Sequence, residues 1–460
     1  MILGDVFERS AAACPLPVMA RATPENALDP RIIDQLFEDV ADKPYTRKIL
    51  SSTVVNLMSR VVCRIRPASR AASRAHAETI AAAIKAVSDK LDRTEPAIAA
   101  APVRATADRL VPVIAAMGGV RPELLPGYRV KILDGNHLAG TEHRLKGLRT
   151  IRAGALPGQA PVVLDPALMP AVDVIPREDG HAQGRSPLGD VLKALQARDL
   201  LIQDRNSCTT GSLFGIARRD AFVGVRQHAA TRHWEFDGKR RAGGRVETGK
   251  VLEQAVRLTD PEAEEVLVVR RIAVVLDTPT RDGDAEIPIL TDLPARAARA
   301  KVVAELYRVR GTIETAFAEL EATRDGEVAT LGYPKAAPLA LCVASVSSNP
   351  LSTVKAAPRS VHGDAKATEG VSGYYVAEGV TMTQRGMMIA IPEDEWVEFR
   401  DLAPSELAVV LVELARAVRL PADRKDPRGP KEPKPKKQSG AKIEHGATSQ
   451  ILSERQKRTR

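Results

Sequence analysis

Residues 307–314 read Tyr-Arg-Val-Arg-Gly-Thr-Ile-Glu, within a stretch whose apolar spacing predicts one long helix opened by Pro294. Tyr307, Arg310 and Glu314 are spaced i, i+3 and i+7, so a single helix would place them on one face. An acid beside an arginine and a tyrosine is unusual for a buried stripe. The combination suits a surface that holds a metal ion and binds a phosphate group.

Two further acids follow short apolar runs that predict strands. Asp134 ends the run from Tyr128 to Leu133, and Asp204 ends the run that begins at Leu200. Acids at two strand ends, with Glu314 on a helix packed across them, can converge on divalent cations such as Mg²⁺, which prefers carboxylate oxygens. The chain has 58 acidic residues, so spacing alone leaves helix caps and surface acids as the alternative.

The run Tyr-x-x-Arg-x-x-x-Glu resembles the signature of DDE transposases of bacterial insertion sequences and, more narrowly, that of insertion-sequence family four. Three other stretches are similar to the same family: Asp-Arg-Asn-Ser-Cys-Thr (204–209) leading to Phe-Val-Gly-Val-Arg-Gln-His (222–228), Ile-Leu-Thr-Asp-Leu-Pro (289–294) and Leu-Gly-Tyr-Pro-Lys-Ala-Ala (331–337). The resemblance covers about residues 20 to 365.

This resemblance implies an α/β fold with an RNase H-like catalytic core and a β-rich insertion between the second and third acids. It implies phosphoryl transfer, in which water cuts DNA at the ends of the element and the freed 3′-hydroxyl attacks target DNA. The implied catalytic residues, which would also bind Mg²⁺ or Mn²⁺, are Asp134, Asp204 and Glu314. The implied DNA contacts near the cut are Tyr307, Arg310 and Arg205.

Several positions depart from the family pattern. Gly311 stands where a Trp usually follows the arginine, Glu321 where many members carry Lys, and Ser207 where an aromatic residue is common. Three prolines, at 338, 350 and 358, lie where continuous helix is expected, and an interior proline costs roughly 3 kcal/mol. Two alternatives therefore stay open: an inactive copy that binds DNA without cutting it, and an RNase H-like nuclease that cuts but never joins strands.

The charge distribution favours DNA as the partner. The net charge is +9, and the stretch from Lys43 to Ala77 holds eight basic residues and no acid. That stretch is either a solvated helix face or a surface that contacts a phosphate backbone, with Arg64, Arg66 and Arg70 as its candidate DNA-binding residues. Aromatic residues make up only 3%, which disfavours stacking on single-stranded bases. Joining two DNA ends further suggests a homodimer.

The pattern along the chain predicts a succession of regions. Residues 1–125 are predicted to form a helical domain that binds the DNA ends, after an irregular start of about 25 residues, and 126–340 to form the catalytic core, with the insertion at about 229–290. Residues 341–420 are helical, and the basic tail 421–460, which carries 12 basic and 5 acidic residues, is disordered. Four cysteines without Cys-x-x-Cys spacing indicate reduced thiols in a cytoplasmic protein, and no apolar run is long enough to predict a membrane span. The resemblance implies a bacterial protein that is associated with the nucleoid when bound to DNA.

Overall fold

The computed structural model of the protein describes most of the chain. The described residues are 5–41, 49–75, 84–138, 154–156, 158–178, 188–228, 234–260, 262–280, 283–324, 326, 328, 331, 335–370, 391, 393–420 and 445–447. The predicted basic tail falls outside these ranges except for residues 445–447, and so do residues 43–48 and 76–77 of the predicted basic stretch.

A nine-stranded mixed sheet occupies the centre of the fold, in the order β4-β3-β1-β5-β6-β10-β9-β8-β7. Strands β1, β5 and β6 are parallel and adjacent, whereas the flanking pairs are antiparallel. The α/β expectation is confirmed at this level. The strands are β1 Arg129–Leu138, β2 Gly154–Leu156, β3 Gly158–Leu164, β4 Ala171–Val174, β5 Asp199–Gln203, β6 Phe222–Arg226, β7 Trp234–Val246, β8 Gly249–Asp260, β9 Glu265–Leu276, β10 Glu286–Thr291 and β11 His445–Ala447. A separate two-stranded sheet pairs β11 with β2.

Helices precede, cover and follow the sheet. They are α1 Asp5–Ala13, α2 Pro15–Ala27, α3 Pro30–Val40, α4 Ser51–Val62, α5 Ser69–Ala75, α6 Ile84–Leu91, α7 Pro96–Ala116, α8 Leu188–Ala194, α9 Thr210–Ala217, α10 Ala300–Arg308, α11 Gly311–Thr323, α12 Ala336–His362, α13 Asp364–Gly370, α14 Glu393–Val397 and α15 Pro404–Arg416. None of the described helices is long and apolar enough to cross a bilayer.

Both faces of the central strands are buried, which explains the continuous apolar run of β5. Leu200 and Ile202 point to one face, where they join a cluster with Val303 of α10 and Ile313 of α11. Leu201 points to the opposite face and packs with residues of α8 and α9. The two faces are therefore distinct, and a residue's place in the strand alternation fixes the face on which it lies.

The first 25 residues were expected to be irregular, and this expectation is wrong, because α1 and α2 occupy most of them. Their helicity depends on tertiary packing. Phe7 lies between Trp396 and Phe399, with ring centroids 4.9 and 5.8 Å away. Pro15 occupies the first turn of α2, where a missing N–H costs nothing. The partners that stabilise these helices are thus almost 400 residues away in sequence.

The prolines at 350 and 358 do not interrupt the chain's longest helix, contrary to the sequence expectation. Helix α12 runs through both, and Pro338 lies in its first turn. Most of α12 is buried, and it packs against α2, α4 and α7 within two hydrophobic clusters. Burial on this scale offsets the cost of an interior proline. Because these clusters join N-terminal helices to α12 and α15, the division at residues 125 and 340 stays a prediction.

Strands β7, β8 and β9 lie in the interval for which the sequence favoured a β-rich insertion. They pair antiparallel with one another, and β9 pairs with β10, which itself pairs with β6. The insertion therefore extends the central sheet and does not form a separate layer. Helix α10 begins over β7, where a Cβ added to Gly243 would lie 2.7 Å from that of Ala300.

Asp292 follows β10 and gives the fold a pH-dependent element. Burial raises the pKa of this carboxyl to about 6, although Val223 donates its N–H to it at 2.8 Å. The folded state therefore binds the proton more tightly than the unfolded state does. The stability that Asp292 contributes is present at low pH and is lost as pH rises through 6.

We therefore expect Asp292→Asn, which keeps an oxygen for the Val223 N–H, to increase the free energy of unfolding by roughly 3 kcal/mol at pH 8 and by about half as much at pH 5. Urea unfolding at the two pH values measures this difference. Equal effects of the substitution at pH 5 and pH 8 would show that the carboxyl does not titrate in this interval.

Candidate active site

Two of the predicted acids lie side by side on the central parallel strands. Leu133 of β1 is paired with Gln203 of β5, so Asp134 and Asp204 are the next residues on neighbouring strands. Alternation along each strand places them on the same face as Ile132 and Ile202, the face covered by α10 and α11.

The strand at Asp134 is longer than the sequence indicated. Strand β1 was expected to end at Asp134, but it continues to Leu138 because its second half pairs with β3, Asp134 itself standing opposite Val162. The carboxyl of Asp134 therefore lies at the point where β1 stops pairing with β5 but continues to pair with β3.

Asp204 is held by the turn that follows β5. It caps a short 3-10 helix, Arg205–Ser207, accepting the N–H groups of Asn206 and Ser207 on Oδ1 at 3.1 and 3.2 Å. Among the described residues, Oδ2 has no hydrogen-bond partner. One oxygen fixes the carboxylate, and the other is free to bind a ligand.

Glu314 is linked to Asp134 through the guanidinium of Arg310. Nη1 of Arg310 donates to Oδ2 of Asp134 at 3.3 Å, and Nη2 donates to Oε1 of Glu314 in a close ion pair. The side chain of Glu314 is 57% exposed, whereas that of Asp134 is 17% exposed. One guanidinium therefore joins an acid of the sheet to an acid of the helix.

The helix that carries this signature is divided, which corrects the expectation of one continuous helix. Helix α10 ends at Arg308 and α11 begins at Gly311, with Val309 and Arg310 in a tight turn between them. The N–H groups of Arg310, Thr312 and Ile313 each bond the carbonyl three residues earlier, at 2.8–3.1 Å. Glycine has a low helix propensity, which favours the break here. Tyr307, Arg310 and Glu314 nevertheless lie near one another.

The electrostatics of the site link the three acids. Burial raises the pKa of Asp134, the charges of Asp204 and Glu314 raise it further, and that of Arg310 opposes them. Burial also raises the pKa of Tyr307 to about 12, so its hydroxyl is protonated at neutral pH and can donate a hydrogen bond. The site therefore concentrates negative charge, and among the described residues one arginine, Arg310, contacts it directly.

Sequence reasoning did not single out Arg226, although it lies within the quoted stretch 222–228. Gln203 of β5 is paired with Val225 of β6, so Arg226 stands level with Asp204 and Asp134 across three adjacent strands. Nη2 of Arg226 contacts Oδ2 of Asp284 at 2.7 Å, and this arginine holds the pKa of Asp284 below its ordinary value. The available signal was its position at the end of a short apolar run, as for the two acids.

The other predicted DNA-binding residues lie at the surface. Arg205 is exposed in the 3-10 helix beside Asp204, and its charge acts on Asp284. Arg64, Arg66 and Arg70 are exposed in the turn between α4 and α5 and at the start of α5. Helices α4 and α5 share a hydrophobic cluster with Leu138 of β1. None of these arginines contacts the acids directly among the described interactions.

The three carboxylates are chemically suited to bind a divalent cation, but their side chains are not positioned to bind one in this conformation. Within the described part of the chain, no three His, Cys, Asp or Glu side chains are grouped closely enough to hold an ion. Three carboxylates are the hard oxygen donors that Mg²⁺ prefers, and a guanidinium already bridges two of them. Binding an ion requires Arg310 to turn away from Asp134 and Glu314.

Comparison with known proteins adds little to this geometry. No protein-family model and no curated protein sequence matches the chain. Among solved structures, it is similar to piggyBac transposase in a synaptic complex with hairpin DNA, with a TM-score of 0.36 and 9% identity over 82% of this chain and 85% of that one. A likeness of this size does not establish a common fold.

Proposed function

We propose that this chain is a DDE-type transposase, similar to those of insertion-sequence family four, with an RNase H-like core built from β1, β3 to β6 and α11. The observation that carries the proposal is the placing of Asp134 and Asp204 at the same level on adjacent parallel strands, with Glu314 joined to Asp134 through Arg310. Two acids from distant parts of the sequence are thus neighbours, and a third is linked to one of them through an arginine that a bound cation would replace.

In this proposal Asp134, Asp204 and Glu314 hold Mg²⁺, which Mn²⁺ can replace. The bound metal supplies Lewis-acid polarisation of the scissile phosphodiester and activation of the attacking oxygen. Asp204 is oriented for this role by its two backbone hydrogen bonds. The residues of the protein fix the geometry, and the chemistry is in-line displacement at phosphorus.

Three neighbouring side chains would bind the DNA at the cut. The neutral Tyr307 hydroxyl donates to a phosphate oxygen, and the guanidinium of Arg310, once released from the acids, binds a phosphate in bidentate fashion. Arg226 is level with the acids and is suited to a second phosphate. Arg205 and the exposed Arg64, Arg66 and Arg70 would extend the contact with the duplex.

The substrates are then double-stranded DNA at the element's ends and a DNA target. Two ends must be held together for joining, which favours a homodimer in the complex. A protein that acts on its own element in a bacterium works in the cytoplasm, at the nucleoid.

The test uses plasmid DNA that carries the gene with its flanking sequence, incubated with the protein and Mg²⁺ or Mn²⁺. Cleavage and strand joining that disappear in Asp134→Ala, Asp204→Ala and Glu314→Ala support the proposal, and cleavage that survives all three refutes it. Binding without cleavage by the wild type indicates an inactive copy. Cleavage without any joined product indicates a nuclease.

A further inference from the structure

A group of exposed cations lies on the insertion, away from the three acids. We define the α10 surface as Arg241 of β7, Arg296 and Arg299 before α10, and Lys301 in its first turn. Strand β7 passes directly under the start of α10: a Cβ added to Gly243 would lie 2.7 Å from the Cβ of Ala300, and one added to Gly244 would lie 3.9 Å from the Cβ of Lys301. Arg241 is three residues from Gly244 on the same strand.

Three acids that flank the α10 surface in sequence or in strand pairing are already paired with other arginines. Glu253, opposite Arg241 across the sheet, contacts Arg270 at 2.6 Å. Glu305, one turn after Lys301, contacts Arg308 at 3.2 Å, and Glu247 contacts Arg308 at 2.8 Å. Among the described residues, none of the four cations of the α10 surface has an acidic partner. No described acid therefore neutralises their positive charge.

The α10 surface lies on the same side of the sheet as the acids. Arg241 stands opposite Glu253, two residues from Val251, which packs in the cluster that contains Ile132 and Val303. Helix α10 leads from this surface to Tyr307 and contributes Val303, Ala304 and Leu306 to that cluster. Lys301 and Tyr307 are six residues apart, or about 9 Å along the helix axis.

We propose that the α10 surface binds the phosphate backbone of the same DNA duplex that the acids cut, several base pairs from the cleaved bond. Four exposed cations at the start of α10 and on the strand beneath it match a polyanion with one charge per roughly 1.7 Å of its axis. A contact with phosphates is independent of sequence, because the phosphate groups are the same at every base pair. The inference rests on the proposed function, because it takes duplex DNA as the substrate.

The test measures the affinity for a non-specific duplex as a function of salt, without divalent metal, so that no cleavage is needed. The surface variant is Arg241→Gln, Arg299→Gln, Lys301→Gln. The control, Lys193→Gln, Lys366→Gln, Arg416→Gln, makes the same charge change at exposed positions on α8, α13 and α15. We expect the surface variant to bind roughly 10–100-fold more weakly near 0.1 M salt, with a slope of log K against log salt smaller by about 2–3.

The control is expected to change the slope by less than about 1, and Arg241→Lys, Arg299→Lys, which keeps the charge, to leave it unchanged. Equal losses in the surface variant and the control would overturn the inference, because net charge alone would then explain binding. Unchanged DNA affinity with altered self-association would also overturn it, in favour of an interface between copies. Because the assay does not depend on cleavage, a wild type that binds through this surface but never cuts would refute only the proposed function.

Discussion

Asp204→Asn is expected to lower the rate of DNA strand cleavage by roughly 10³-fold, while leaving the fold and DNA affinity unchanged. Removing one metal-binding charge forfeits several kcal/mol of transition-state stabilisation, and each 1.4 kcal/mol is a factor of ten. Asparagine keeps an oxygen for the N–H groups of Asn206 and Ser207, so the turn after β5 should persist. Cleavage kinetics, thermal melting and DNA binding measure the three quantities.

Asp165→Asn is the matched control for this substitution. Asp165 also follows a strand, β3, and accepts two backbone N–H groups, from Ala167 and Leu168 at 2.9 and 3.2 Å. It carries the same charge and the same kind of cap, and the variant should cleave at the wild-type rate. A comparable loss of cleavage in both variants would show that capping, and not metal binding, explains the effect.

Arg310→Ala is expected to act in opposite directions on metal binding and on cleavage. Without DNA, Arg310 donates hydrogen bonds to the carboxylates of Asp134 and Glu314 and therefore competes with a cation for them. Its removal should tighten Mn²⁺ binding about 5–10-fold, the equivalent of about 1 kcal/mol for a partly exposed ion pair. Cleavage should fall by roughly 10²-fold, because the phosphate loses a charged donor.

Mn²⁺ titration of the DNA-free protein and cleavage kinetics separate the two effects. Arg308→Ala is the control, since Arg308 is two residues away and pairs with Glu247 and Glu305, not with the three acids. It should change neither quantity by more than about twofold, as for other exposed ion pairs. Weaker Mn²⁺ binding in Arg310→Ala would mean that Arg310 supports the metal site and does not compete for it.

The sequence contained the elements of the site but not their contacts. Asp134 and Asp204 could be found because each follows a short apolar run in the sequence, a signal that is local. Arg226 also ends an apolar run, but a single arginine there does not indicate a metal site. The pairing of Gln203 with Val225 is what places Arg226 beside Asp134 and Asp204. The contact of Arg310 with Glu314 follows from helical spacing, whereas its contact with Asp134 spans 176 residues and depends on side-chain placement, which no periodicity encodes.

Local propensity failed where distant packing decides the structure. Helix α1 depends on Trp396 and Phe399, and α12 continues through Pro350 and Pro358 because it is buried among α2, α4 and α7. The division of the long helix at Gly311 is the opposite case, since a weak helix former was visible in the sequence. Its consequence, a tight turn that holds Arg310 against Asp134, was not.

The most direct test of the proposed catalytic site compares cleavage rates of Asp134→Asn, Asp204→Asn, Glu314→Gln and the triple variant with Mg²⁺ in one assay. If the three acids act as one unit, each single substitution should reduce cleavage to nearly the level of the triple variant, because losses within a unit are not additive. A single variant that keeps a tenth or more of the wild-type rate would contradict the assignment of that acid and the joint site.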